Sequence, residues 1–164
     1  MGLMRRAAVR GIIPSGNKVS ELRSSLIRLM TEIPTVLEGQ FGEDGAIATA
    51  EIFRRLGSED AQGMRERLGL GSTLRDALDG WVIIGHVIGA KMEVTWSSQT
   101  KASTGHLFCP QHRMYADRGK IYCDSVCLPY VEAFASEINP NIATVVDKPA
   151  DMSTPCVKSL VVSE

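Results

Sequence analysis

The sequence predicts an α+β fold, N-terminal helices followed by an antiparallel sheet with one or two inserted helices, in one domain spanning residues 1–164. Three observations carry this expectation. Apolar residues recur at helical spacing up to about residue 90, the period switches to two at Lys91, and two further strand-like runs close the chain after a helical insertion. The helical half covers about 18–90 and the cysteine-bearing sheet half about 91–164.

The elements follow in order. Pro14-Ser15-Gly16-Asn17 is turn-rich, and from Ser20 to Ile33 the residues Leu22, Leu26, Leu29, Met30 and Ile33 share one side of a helix, which Pro34 ends or bends. A second pattern, Thr35 to Gln40, stops at the glycines of 39–45. Helices are expected over 46–56 and 58–68, with Gly57, Gly69 and Gly71 as breaks and Ser58-Glu59-Asp60 opening the second. The segment 72–89 makes a strongly apolar helix, with Thr73 and Asp76 as a loose capping box and with Gly85 and Gly89 suited to close helix packing. Lys91 to Ser97 then alternates, with Met92, Val94 and Trp96 on the face expected to be buried. A partner strand is expected over 102–108, a short helix over 113–119, and another from near Leu128 to Glu137, where Pro129 suits a first turn. Residues 144–147 and 156–163 read as the last two strands.

At 164 residues the chain can bury roughly two-thirds of its unfolded surface, enough for a core without covalent staples. Lys and Arg number 18 against 19 Asp and Glu, a formal net charge of -1, so no basic excess points to nucleic acid or a membrane surface. No apolar run reaches the roughly 18 residues that span a bilayer. The opening MGLMRRAAVRGIIP does not read as a secretory signal, and Gly2 lacks the Ser or Thr at position six that myristoylation prefers, since Arg6 stands there. A cytoplasmic protein is expected. The apolar helices leave homo-oligomer formation open, because such faces can pack internally or across a dimer.

The chemistry concentrates in four cysteines, Cys109, Cys123, Cys127 and Cys156, all in the sheet half. Each falls at an element end, where ligands or nucleophiles can converge. In a reducing compartment clustered thiols point to metal binding or catalysis rather than disulfides. Four thiolates can hold zinc tetrahedrally or an iron–sulfur cluster, and His112, three residues after Cys109, is an alternative ligand. The spacing matches no standard zinc-ribbon or ferredoxin pattern, and buried free cysteines can equally act as small hydrophobes. Cys109 and His112 are the candidate catalytic pair, thiol and base. His106, on one face with Phe108, is read first as a satisfied sheet histidine with a pocket role as the alternative, and His86 as a core or pocket residue. Arg113, Arg118 and Lys120 could together receive a substrate carboxylate, and Asp124 could orient a ligand or cap a turn. No dinucleotide or phosphate loop, GxSxG or HExxH occurs.

A strand running into Cys109-Pro110, Cys127 before a helix, Asn139-Pro140 and a final Cys156 together resemble the L-2-amino-thiazoline-4-carboxylate hydrolase-like family. The layout is also similar to that of four-vinyl-reductase-type small-molecule-binding domains. The resemblance covers about residues 73–162 and does not place the chain before Thr73. It implies hydrolytic opening of a sulfur–nitrogen heterocycle at a C–N bond. The expectation is therefore a small-molecule-binding protein with a cysteine-centred zinc or iron–sulfur site, a hydrolase-like enzyme on a small heterocyclic or carboxylated substrate. The alternatives are a non-catalytic ligand- or redox-sensing domain and a structural zinc clamping the sheet to its helices.

Overall fold

The computed structural model describes Val9 and residues 11–163, so most of the basic segment read above for targeting lies outside the described residues. From residue 15 on, the described residues form first the helices α1 (Ser15–Phe41), α2 (Glu43–Leu68) and α3 (Leu74–Ile88). A hairpin follows, β1 (Lys91–Trp96) and β2 (Lys101–Phe108), then α4 (Pro110–Asp117) and α5 (Cys127–Ile138), then β3 (Ile142–Lys148) and β4 (Val157–Val162). The four strands form one sheet in the order β1-β2-β4-β3, and every pair is antiparallel. The α+β architecture is the one the change of period predicts.

The capping box at Thr73 is complete: the Asp76 amide donates to Thr73 Oγ1 at 3.2 Å and the Thr73 amide to Asp76 Oδ2 at 2.9 Å. Helix α5 lies at the centre of the fold. Its Val131, Phe134, Ala135 and Ile138 face Ala61 and Met64 of α2 and Ala77, Leu78 and Trp81 of α3, while Ala102 and Leu160 reach the same core from the sheet. A second apolar cluster joins Phe53 of α2 to Tyr115, Tyr122 and Val126.

Three expectations are corrected. Gly57 does not divide two helices, because α2 runs unbroken from Glu43 to Leu68. A Cβ at Gly57 would stand 2.3 Å from the Tyr130 carbonyl oxygen, so glycine is there to let α2 approach the α5 backbone. Pro34 does not end α1 either. Its missing N–H leaves the Met30 carbonyl without its helical donor, and the Tyr115 hydroxyl donates to that oxygen at 3.1 Å instead. Strand β1 is less buried than its alternation suggests, with Val94 and Trp96 both 37% exposed, because it is an edge strand. Among the described residues no helix is long and apolar enough to cross a membrane.

Candidate functional site

The sheet's end and the helices placed on it converge on the four cysteines. Cys109 leaves β2 in extended conformation and caps α4, its sulfur accepting from the His112 amide at 3.4 Å with Pro110 at the first helical position. Cys123 lies in the turn ahead of α5, and Cys127 is the first residue of that helix. Cys156 directly precedes β4. Alternation along this segment turns Cys156, Lys158 and Leu160 inward, and all three are buried.

Lys158 is the residue that cysteine spacing did not reveal. It is 1% exposed, and its ammonium donates to Cys156 Sγ at 2.6 Å and to Cys127 Sγ at 3.5 Å. Its spacing two positions after Cys156 puts both on one face of a strand, but the sequence did not show that this face turns inward. Burial works against the Lys158 charge, but the Cys127 and Cys156 sulfurs outweigh it and its pKa is raised. Cys156 is held down to about 3, first by the hydrogen bond from the Cys123 thiol, then by His106 and Lys158 against the pull of burial. Cys123 is pushed up, since it supplies that hydrogen bond and is itself desolvated. Burial raises Cys127, with Lys158 opposing, and lifts Cys109 to about 11 despite the His112 amide. The directions favour the ionised form of Cys156 against the Lys158 ammonium and the neutral form of the thiols around them.

Beside this cluster lies a cavity of about 460 Å³. Its walls are Met30 of α1, Phe53 and Met64 of α2, Trp81 and Ile84 of α3, and Val131 of α5. Cys109, Cys127 and His106 face it from the sheet side. Leu26, Leu56, Leu68 and Val87, all exposed, continue the apolar lining at its mouth. The volume lies within the roughly 300–1,000 Å³ of small-molecule sites. Polar groups are few. Tyr130 Oη donates to Asp60 Oδ2 at 2.6 Å, and Arg67 is an exposed part of the lining that makes none of the ion pairs found among the described residues.

The structure separates the sequence's candidates. Cys109 and Cys127 reach the cavity, while Cys123 and Cys156 stand behind it with Lys158. His112 is buried and its Nε2 meets the Asp151 carbonyl at 2.7 Å, which pins it to the loop before β4 and leaves it off the cavity lining. His106 Nδ1 meets the Cys156 carbonyl at 3.3 Å while its ring faces the cavity. His86 is exposed on α3 and does not line this cavity, so it is not the core or pocket residue expected of it. Arg118 and Lys120 do not await a substrate, because Glu32 and Glu38 of α1 hold them at 2.6 and 2.5 Å.

The architecture defines the class as an α+β domain in which helices pack on a four-stranded antiparallel sheet. Among solved structures this fold is similar to a trafficking protein particle complex subunit 3 from Naegleria fowleri, whose crystal structure is described as covalently bound to palmitic acid. The TM-score is 0.65 and the identity 11%, with 88% of this chain and 97% of that one covered, so the likeness is one of fold. No family model matches the chain, and no curated protein does.

Two sets of expectations are corrected here. The solved structure that shares the fold is a trafficking-complex subunit and not a hydrolase, so the hydrolase reading is withdrawn. The metal-binding, zinc and iron–sulfur readings are withdrawn as well, since among the described residues no group of three or more His, Cys, Asp or Glu is placed to hold a metal ion. The physical reason is visible at Lys158, whose ammonium already brings a positive charge to the sulfurs of Cys127 and Cys156.

Proposed function

We propose that this chain is a binding domain for a long-chain fatty acid or acyl group, which lies in the apolar cavity between the helices and the sheet. The cavity carries the reading: it is lined by core residues, opens through exposed apolar side chains, and has room for a small molecule. The palmitic acid described for the trafficking subunit of similar fold supports the same ligand class. Arg67, which belongs to the lining, supports the reading as a partner for the ligand carboxylate, a group that a guanidinium pairs bidentately.

The expected affinity follows from burial. Roughly fourteen methylenes at about 0.8 kcal/mol each give about 11 kcal/mol. An association cost of about 4 kcal/mol leaves about 7 kcal/mol, a Kd on the order of 10 μM. Calorimetric titration of the lipid-stripped chain with palmitate tests this. One saturable site is expected, and Ile84→Trp, which fills the cavity from α3, weakens it by roughly tenfold or more. Absence of saturable binding, or an unchanged affinity in a folded Ile84→Trp variant, overturns the reading.

A further inference from the structure

Three groups connect the cavity wall to the interior. Cys127 lines the cavity, Lys158 Nζ lies 3.5 Å from its sulfur, and Cys156 Sγ lies 2.6 Å from the same nitrogen. The lysine is buried in a strand interior and has no surface role to perform. A buried ammonium that donates to two sulfurs can pass a proton from one to the other. Cys127 then becomes the thiolate and Cys156 the thiol, and the buried positive and negative charges still balance. The charge therefore reaches the cavity wall without an unpaired ion being created.

We propose that Cys127 is a nucleophile of the cavity, served by the Lys158–Cys156 proton relay, and that it captures apolar α,β-unsaturated carbonyl compounds as covalent adducts. The inference rests on the reading of the cavity as a site for long hydrocarbon chains. The step balances without a co-reactant. The Cys127 proton passes to Lys158 as Lys158 gives one to Cys156. The Cys127 sulfur bonds to the β-carbon, and the carbon–carbon π pair moves to the α-carbon as an enolate. The enolate takes a proton from Lys158, which recovers one from Cys156. The thiol hydrogen thus ends on the α-carbon, and the cluster returns to its starting charges.

Conjugate addition suits this wall because it needs one proton and no leaving group. The Gln111 amide on the wall donates to Tyr115 Oη at 2.6 Å and keeps a second N–H for the enolate oxygen. The electrostatics point the same way, since Cys156 is lowered and Cys127 is raised by burial, which favours the proton on Cys127 at rest. Cys109 shares the wall, but its sulfur accepts from backbone amides at the start of α4, whereas the Lys158 ammonium donates to Cys127 and Cys156.

The test uses trans-2-nonenal with the full chain, borohydride reduction and peptide mass spectrometry, alongside palmitate titration. Adduct formation is expected on Cys127 ahead of the other three cysteines, with a rate that saturates in enal and falls when palmitate is added. Cys156→Ser, a conservative change at the positioning end of the relay, is expected to lower the limiting rate by about a hundredfold, the low end for a positioned proton-transfer group. The half-saturating enal concentration stays the same, which loss of structure would not leave intact. An adduct on Cys109 in preference to Cys127, or a Cys127 rate linear in enal and equal to that of N-acetylcysteine, overturns the inference, and the wild-type mapping decides this whether or not the variant folds. Palmitate binding without a Cys127 adduct overturns the nucleophile and leaves the cavity reading in place. A saturable Cys127 adduct on a chain that binds no palmitate overturns the fatty-acid reading and keeps the nucleophile.

Discussion

Replacing Tyr115 by Phe removes one oxygen and strands two groups. The Tyr115 hydroxyl donates to the Met30 carbonyl at 3.1 Å and accepts from Gln111 Nε2 at 2.6 Å, and the side chain is fully buried. The Met30 oxygen is the acceptor that Pro34, four residues on, cannot serve. An unsatisfied buried polar group costs about 1–3 kcal/mol, so the loss of both bonds is expected to cost about 2–4 kcal/mol, allowing for relaxation of the Gln111 side chain. The carbonyl's share can be isolated. In Pro34→Ala the helix regains an amide at position 34 that reaches Met30, so Tyr115→Phe in that background is expected to cost about 1 kcal/mol less than in wild type. Urea denaturation of the four proteins of this cycle, followed by helical circular dichroism, gives the coupling directly. Additivity within about 0.3 kcal/mol would refute the claim that Tyr115 completes the hydrogen bonding of α1.

Gly57→Val is expected to push α2 from α5, since even a Cβ there would meet the Tyr130 carbonyl at 2.3 Å; a loss of about 3 kcal/mol or more in denaturant unfolding checks this. Asp76 is held below the usual carboxylate range by the Thr73 hydroxyl and then the Thr73 amide. Its contribution is therefore complete above the ordinary carboxylate pKa and lost as pH falls through the lowered one. Stability measured against pH is expected to lose part of its acid-side slope in Asp76→Asn. Lys158→Met removes one partner of a buried ion pair and is expected to cost about 3–5 kcal/mol, whereas the same change at half-exposed Lys101 stays within about 1 kcal/mol. His112→Ala is expected to loosen the loop before β4, seen as faster amide exchange over 151–155, while palmitate binding is unchanged.

What the sequence made legible follows its local rules. Thr73 and Asp76 announce the start of α3, Cys109-Pro110 announces the end of β2 and the start of α4, and the alternation from Lys91 announces the hairpin. Pro34 and Gly57 misled because their usual effect is set aside by partners distant in the chain, Tyr115 in one case and the Tyr130 backbone in the other. The gathering of the cysteines was legible as a cluster in sequence but not as chemistry. Which thiols face a cavity depends on how α5 lies on the sheet. That a lysine stands among them depends on which way β4 faces. The cavity itself had no local signature, because Met64, Trp81, Ile84 and Val131 read as ordinary core residues until the helices are placed.

The most direct test of the account uses Trp81 as its reporter. Trp81 is 4% exposed and lines the cavity, while the chain's other tryptophan, Trp96, lies on the edge strand β1 beneath the Arg75 guanidinium. In Trp96→Phe, titration of the lipid-stripped chain with palmitate is expected to shift Trp81 emission in a saturable way, with one palmitate per chain and a midpoint on the order of 10 μM. Trp81 emission that stays constant as palmitate is raised about tenfold above that midpoint would contradict the central claim that this cavity holds a long hydrocarbon chain.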